Sequence, residues 1–556
     1  MKRKSTMQHK NNKRLCTDRQ TTPMVDRDIS TPVSIDFRSL ISATGLRNYL
    51  LGDPILDWFK VTGAEKSDDP LTNLLFSKGK AFEIGIIDKI RERYPITDLS
   101  RAYGDFDIQP TIEALRRQDP ILFQATVADP IIGVFGCPDL LLRRDIFNEL
   151  FPDQSLPEEH GPYVVVEIKM GTLILLKDGY CLNNEPLSRA YKGQVFVYNR
   201  GLSYALSLID SSTPPITTGF ILGRKWNHGD TRGSSFERLA KIENSDIEDD
   251  VMKALSWLTK VKLFGKTWKL GELPELYPNM ANNYDFPYGE AKKAAAQELG
   301  EITSLWQCGL KHRQRALEAG VTRWDDERCT GKLLGFGKDR AKIINKILTV
   351  NRNKAGVLAP KIKLPSRKNE YYLDFETINE IFSGVPISGT FVYWIGVGYI
   401  KDGVWHYQEL VAKELSEAEE RRIFSELLQL IPSRSLVFHW SQLESRMLSD
   451  LIAKYDLEVP NWLLYDLLET FRSAPIVVEG AFDFGMKSIA KALFQLGKID
   501  TIWENSFCKN GSDSIVLAKA YYDGNQEVYE EMKAYNQMDC KVMKSIVEFA
   551  RRELSK

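Results

Sequence analysis

The sequence predicts a multidomain α/β protein, and three observations predict it. At 556 residues the chain exceeds what one ordinary core serves, so two to four domains are expected. The runs Tyr163–Lys169 and Tyr371–Thr377 are rich in β-branched and aromatic residues and read as strands. Segments with helical apolar spacing, such as Phe82–Ile90 and Tyr191–Tyr198, alternate with further strand signals such as Thr218–Gly223.

Composition narrows the class. With 43% hydrophobic and 27% charged residues the chain falls in the globular range. A net charge of -1 means that any nucleic-acid surface must be local. No apolar run reaches bilayer length and the N-terminus lacks a signal-peptide core, so a soluble protein with no membrane partner is expected. Seven scattered cysteines, an odd number, suggest a reducing, intracellular setting. The absence of Cys-x-x-Cys argues against a zinc ribbon or an iron–sulfur cluster. Gly265-Lys266-Thr267 lacks the upstream glycine of a phosphate-binding loop, so no ATP is expected.

Residues 1–33 read as a disordered basic tail carrying Lys2-Arg3-Lys4 and Lys13-Arg14. The tail is incidental and solvated, or a phosphate-binding arm, or a signal that would take the protein to the nucleus. Residues 34–285 mix helix and strand signals, with residues 147–162 as a surface insertion. Residues 286–352 read as a helical connector. In it, Gly335-Phe336-Gly337 makes a turn followed by Lys338, Arg340 and Lys342. This is either a helix-hairpin-helix, whose turn amides can hold a phosphate, or a plain helical hairpin between domains. Residues 353–368 read as a linker and 369–556 as the last domain.

Two sets of residues carry chemistry. In the last domain Asp374 and Glu376 lie two apart on a strand and share one face. Side by side they repel unless a divalent cation sits between them. Tyr535 and Asp539, four apart, share a helical face. Such a set suits two-metal phosphodiester hydrolysis. These four residues resemble the first and last motifs of the DEDD exonucleases, in the subclass with Tyr before the last Asp. The segments Tyr465–Glu469 and Gly480–Ile489 are similar to the ribonuclease H-like domain found behind RecB-type nucleases. The resemblance implies 3′–5′ exonuclease activity with two Mg²⁺ or Mn²⁺ ions on Asp374, Glu376 and Asp539, and Tyr535 orienting the attacking water. The family's middle motif supplies another acid. Its nearest match, Phe438-His439-Trp440-Ser441-Gln442-Leu443-Glu444, carries Glu444 where most of the superfamily has Asp, with Asp466 as the fallback.

The second set lies in the N-terminal half. Asp139 precedes the apolar run Leu140-Leu141-Leu142; Glu167 and Lys169 share one face of a Val-rich strand; Gln194 and Tyr198 share a helical face. In this order they resemble the PD-(D/E)xK nucleases, which have a restriction-endonuclease-like fold, and the Gln-x-x-x-Tyr points to the RecB-like branch. The resemblance implies Asp139 and Glu167 as metal ligands and Lys169 as base or electrostatic helper. It also implies Gln194 and Tyr198 on the DNA side and Glu83 as the acid of the first helix.

The whole reads as a two-nuclease protein that cuts DNA in repair, recombination or replication, with a helicase or polymerase as candidate partner. The alternatives are an RNA-processing exonuclease, or a nucleic-acid-binding protein with one degenerate site. Basic residues concentrate from Lys338 to Lys368. Affinity for a single-stranded oligonucleotide should therefore fall steeply as salt rises in a fluorescence titration, and a flat response would remove this stretch as the binding surface.

Overall fold

The computed structural model describes residues 35–102, 104–383, 389–458, 460–503 and 511–555. The basic tail expected at 1–33 lies outside them.

The N-terminal half is built on a mixed sheet. Helix α1 (Pro70–Arg91) starts where Asp69 accepts hydrogen bonds from the amides of Leu71 and Thr72, with Pro70 in the first turn. The strands are β1 (Thr97–Asp98), β2 (Ile121–Phe123), β3 (Leu140–Arg143) and β4 (Tyr163–Ile174). After helix α2 (Pro186–Ser207) come β5 (Thr218–His228), β6 (Thr231–Ser234) and β7 (Ala240–Glu243). Their order is β7-β5-β4-β3-β2-β1, with β6 paired to β5. The strand β4 is central: antiparallel to β3, parallel to β5 and covered on both faces. Val165 packs toward Val195 and Phe196 of α2, whereas Val164 and Val166 join Phe147 and Phe220 in a second core. Burial on both faces explains why this strand reads as an unbroken apolar run.

Residues 147–162 are more than the surface insertion expected. Arg144–Leu150 is helical, and Phe147 and Phe151 are buried, with Phe147 against Phe220 at a centroid separation of 4.8 Å. The aromatic side chains cover a sheet face that would otherwise meet water.

The connector is not helical throughout. It holds α3 (Gly289–Leu299), α4 (Leu310–Glu318) and α5 (Lys338–Asn353), and residues 319–337 are turns and loop. Gly320 and Gly335 adopt positive φ there, where helical periodicity cannot continue. A side chain at Gly335 would collide with Arg315, which packs on that turn. Arg352 closes the loop by donating to the carbonyls of Trp324 and Cys329.

The stretch 353–368 is strapped down rather than free. Val357–Leu358 pairs antiparallel with Val477–Val478, the Ile362 amide donates to Leu554, and Leu364 is buried. Arg367 donates to the carbonyls of Arg434 and Ser435. Arg352 and Arg367 are therefore committed to structure. Lys338, Arg340, Lys342, Lys354, Lys361, Lys363 and Lys368 remain exposed.

The C-terminal domain is a five-stranded sheet flanked by helices. The strands are β8 (Glu370–Asn379), β9 (Thr390–Lys401), β10 (Val404–Val411), β11 (Leu436–His439) and β12 (Leu463–Asp466), in the order β10-β9-β8-β11-β12. The meander β8-β9-β10 is antiparallel, and β11 and β12 continue parallel to β8. The helices that matter below are α6 (Gln442–Tyr455), α7 (Leu467–Ser473), α8 (Met486–Gln495), α9 (Gly511–Tyr522) and α10 (Tyr529–Phe549). One apolar core runs from Ile302 of the connector to Ala550, so connector and last domain fold around shared side chains. Leu71, Leu74 and Leu75 of α1 pack on the other core of that domain, and Glu380 pairs with both Arg224 and Lys225 of β5.

A buried ion pair ties the first domain to the connector. Lys292 and Asp53, both fully buried, meet at 2.8 Å, and Asp53 also accepts from the Asn279 amide and from Asn282 Nδ2. Removing one partner strands the other charge away from water. Lys292→Ala should lower the unfolding free energy by about 3–5 kcal/mol in a denaturant titration, and a loss under about 1 kcal/mol would show that the pair is dispensable.

Candidate active sites

In the C-terminal domain, period-two alternation on β8 sends Leu373 and Phe375 into the apolar core and leaves Asp374 and Glu376 on the opposite face. A bulge follows Glu376. Helix α10 brings Tyr535 and Asp539, one turn apart, to the same face. One ligand oxygen from each of Asp374, Glu376 and Asp539 lies within 4.8 Å of the others. Helix α6 adds Glu444, buried in its first turn and accepting from Ser441 Oγ at 3.0 Å. All four carboxylates line one cleft of about 500 Å³, together with Asp483, Lys487 and Tyr535. Asp466, the fallback for Glu444, instead caps α7 by accepting from the Glu469 amide at 3.1 Å.

Each acid has its own holder. Asn536 Nδ2 donates to Asp374 Oδ2 at 2.7 Å, and its Oδ1 accepts from Tyr407, which accepts from Trp394 Nε1. Asn536 can approach because Gly396 stands opposite Asp374 on β9. A Cβ at Gly396 would sit 1.6 Å from Asn536 Oδ1. Ser514 Oγ of α9 donates to Glu376 Oε2 at 2.7 Å, and Trp503 Nε1 donates to Asp539 Oδ1 at 3.0 Å. Lys487 Nζ donates to the Tyr535 hydroxyl at 2.9 Å. The sequence carries no expectation for Asn536, Ser514, Trp503 and Lys487. Asn536 and Lys487 stand inside the stretches 535–539 and 480–489, which is a usable signal. Ser514 and Trp503 lie far from any motif.

Burial and mutual repulsion push these acids up. Burial raises Asp374 well above the usual carboxylate range, with Asp539, Glu376 and Glu444 adding to it. Burial likewise lifts Glu376 to about 7 and, with Glu376 beside it, Asp539 to about 8, against the pull of Lys487. A cluster that resists ionisation for want of positive charge, with convergent oxygen donors, fits a hard divalent cation.

The residues expected in the N-terminal half also converge. Glu167 on β4 accepts from Lys169 Nζ at 2.7 Å and from the Asp139 amide at 3.3 Å. Asp139 Oδ2 accepts from the Ile168 amide at 2.7 Å. Gln124 Nε2 bridges Asp139 Oδ1 at 2.8 Å and Glu83 Oε1 of α1 at 3.0 Å, joining the first-helix acid to the strand acids. Nothing near Gln124 in the sequence marks it for this role. Burial and the charge of Glu167 raise Asp139 well above its ordinary range. Burial alone would lower Lys169, but the carboxylates of Glu167 and Asp139 outweigh it and hold the amine above its usual value. Lys169 and Glu167 thus form an ion pair in this arrangement.

Tyr198 departs from expectation. It is buried rather than lining a DNA face, and packs against Gly136, where a Cβ would sit 2.4 Å from its ring. Gln194, partly exposed, donates to the Tyr198 hydroxyl at 3.1 Å, so Tyr198 supports Gln194 from behind. In the connector, Gly337 precedes the first turn of α5, and Lys338, Arg340 and Lys342 of that helix are exposed. Gly335 is filled over by Arg315, and Phe336 stacks on His312 at 4.2 Å. The segment thus has a turn and a basic helix start, but no short hairpin from α4.

Residues 371–551 match the family model described as the RNase_H superfamily, about a third of the chain. The C-terminal domain is thus ribonuclease H-like, and the match supports a nuclease hydrolase acting on nucleic acid. No curated protein matches the sequence. Among the described residues, no helix is long and apolar enough to cross a membrane.

The raised acids set a pH dependence. A carboxylate with a raised folded pKa contributes stability that is present below its unfolded pKa and lost as pH rises through the folded one. For Glu376 and Asp539 that loss runs from about pH 4 to about pH 8. In a chelator, the thermal midpoint should therefore fall between pH 6 and pH 9. Mn²⁺ should restore it more at pH 8.5 than at pH 6, since ligation requires the deprotonated acids. A midpoint equally responsive to Mn²⁺ at both values would count against a metal on these residues.

Proposed function

We propose that this chain is a divalent-metal-dependent nuclease with two hydrolytic sites: a 3′–5′ exonuclease in the ribonuclease H-like domain and a RecB-like PD-(D/E)xK site in the N-terminal half. The observation that carries the reading is the convergence of Asp374, Glu376 and Asp539 oxygens within 4.8 Å, with Glu444 on the same cleft. Asp374, Glu376, Asp539 and Glu444 would hold Mg²⁺ or Mn²⁺. Bound there, such ions supply the positive charge that phosphodiester hydrolysis needs at the attacking and leaving oxygens.

The chain's own residues do the rest. Tyr535 orients the attacking water from the face of α10. Asn536, Ser514 and Trp503 keep Asp374, Glu376 and Asp539 from rotating away. In the N-terminal half Asp139 and Glu167 would hold a metal, with Glu83 joined to them through Gln124. The Lys169 ammonium would meet negative charge developing on the phosphate. Gln194 is the residue of its pair positioned to touch the polymer. DNA is the favoured substrate, by resemblance; RNA stays as the alternative, because recognition of the 2′-hydroxyl lies outside the motifs. Work in repair, recombination or replication beside a helicase or polymerase accords with two nuclease sites on one chain.

An end-labelled assay on single- and double-stranded DNA and RNA with Mg²⁺ or Mn²⁺ tests this directly. Asp374→Ala should slow 3′-end trimming by several orders of magnitude. Lys169→Met should leave that trimming intact and abolish the remaining cleavage. End trimming that survives Asp374→Ala but disappears with Lys169→Met would reverse the assignment.

A further inference from the structure

A second cavity, of about 870 Å³, lies where the connector, the start of α2 and the last domain meet. Asp483 lines both this groove and the exonuclease cleft, so the two adjoin at that residue. The junction is held in place: the Trp306 amide of the connector donates to the Phe482 carbonyl at 2.9 Å, and the Trp306 ring meets that of Phe484 at 5.4 Å. Another wall belongs to the N-terminal half, through Glu185 and Leu187 at the start of α2. Leu187, Tyr191 and Gln194 follow at helical spacing along one face of that helix. The Tyr191 ring lies 5.3 Å from Lys169 Nζ, and Gln194 is the residue of that site positioned to touch the polymer. From Leu187 to Gln194 the helix rises only about 10 Å. The groove therefore adjoins the exonuclease cleft at Asp483 and leads along α2 to the Lys169 site.

Its lining suits unpaired nucleotides. Tyr284 is 47% exposed, with the Arg47 guanidinium 5.6 Å from its ring centroid, and Trp306 is partly exposed in the same groove. Lys311, exposed in the first turn of α4, offers a charge to a phosphate, and Glu185 and Asp483 offset it. With charge near balance, stacking rather than attraction for the backbone has to supply most of the affinity. Bases stack on aromatic rings when their faces are free, as in a single strand; a duplex keeps those faces covered by its own neighbours. We propose that this groove binds a single strand of nucleic acid and carries it between the two nuclease sites, with Tyr284 as a stacking platform. What lies at either end rests on the nuclease reading; the groove itself stands on its lining. It is a different surface from the basic stretch Lys338–Lys368.

The test uses the full chain and a fluorescent single-stranded oligonucleotide of about 30 nucleotides, long enough to run well past one cleft. Its dissociation constant is read by anisotropy in a chelator. Hydrolysis with Mn²⁺ is read on the same strand and on the p-nitrophenyl ester of thymidine 5′-monophosphate, a phosphodiester small enough to occupy the exonuclease cleft alone. Tyr284→Ala should weaken strand binding about tenfold and raise KM on the strand, with ester hydrolysis and duplex binding unchanged. Tyr284→Phe should bind as the parent does. Lys311→Gln should lower the slope of log affinity against log salt by about one, and Glu185→Lys should steepen it by about as much. Unchanged strand binding in Tyr284→Ala, an equal loss on duplex, ester hydrolysis falling in step, or a salt slope unmoved in both charge variants would each overturn the proposal. A parent that hydrolyses neither substrate, yet loses strand affinity in Tyr284→Ala, would instead overturn the exonuclease reading and leave the groove standing.

Discussion

Repulsion among buried acids is the constraint on which the rest of the C-terminal domain depends. Asp374, Glu376, Asp539 and Glu444 come from a strand and two helices, and burial raises the first three against ionisation. A fold that only needed stability would not gather them, since buried charge costs several kcal/mol per ion. Each acid is instead held by a dedicated donor: Asn536 for Asp374, Ser514 for Glu376, Trp503 for Asp539 and Ser441 for Glu444. These donors are neutral, so they fix geometry without supplying charge. Lys487 offsets a fraction of it, and a divalent cation is the partner that the remainder calls for.

The N-terminal half solves a similar problem differently. There Lys169 lies within the acid set and neutralises part of it through Glu167, while the Ile168 and Asp139 amides and Gln124 satisfy carboxylate oxygens. The central strand β4 makes this work: both its faces are buried from Tyr163 to Ile168, with Glu167 inside that run and the partly buried Lys169 just past it. Both sites therefore present charge from the middle of a central strand, one with a cation already in place and one with far less positive charge.

The two halves touch near these strands. Glu380, just beyond β8, pairs with Arg224 and Lys225, next to Gly223, which lies opposite Lys169 on β5. The helix that carries Glu83 packs its first turns on the C-terminal core. The connector shares its apolar core with the last domain, so the strapped stretch after α5 is an edge of that domain and not a flexible spacer.

The sequence by itself determined the elements that carry chemistry. Period-two alternation placed Asp374 with Glu376, and Glu167 with Lys169; a four-residue helical step placed Tyr535 with Asp539. These are local rules, and the strand and helix bounds agree with them. The coarse plan of mixed α/β halves around a connector was legible for the same reason. What only tertiary structure decided involves partners distant in sequence. Whether Glu444 or Asp466 faces the cleft depends on how α6 and β12 pack, and Asp466 is spent on a helix cap. Tyr198 shares its helical face with Gln194 yet is buried, because Gly136 across the fold leaves a hollow that its ring fills. Gln124, Ser514 and Trp503 enter the sites from segments without periodic signal, through contacts 15 to 138 residues apart in the chain. Periodicity reports which face of its own element a side chain occupies; which neighbour covers that face is settled only when the whole chain packs.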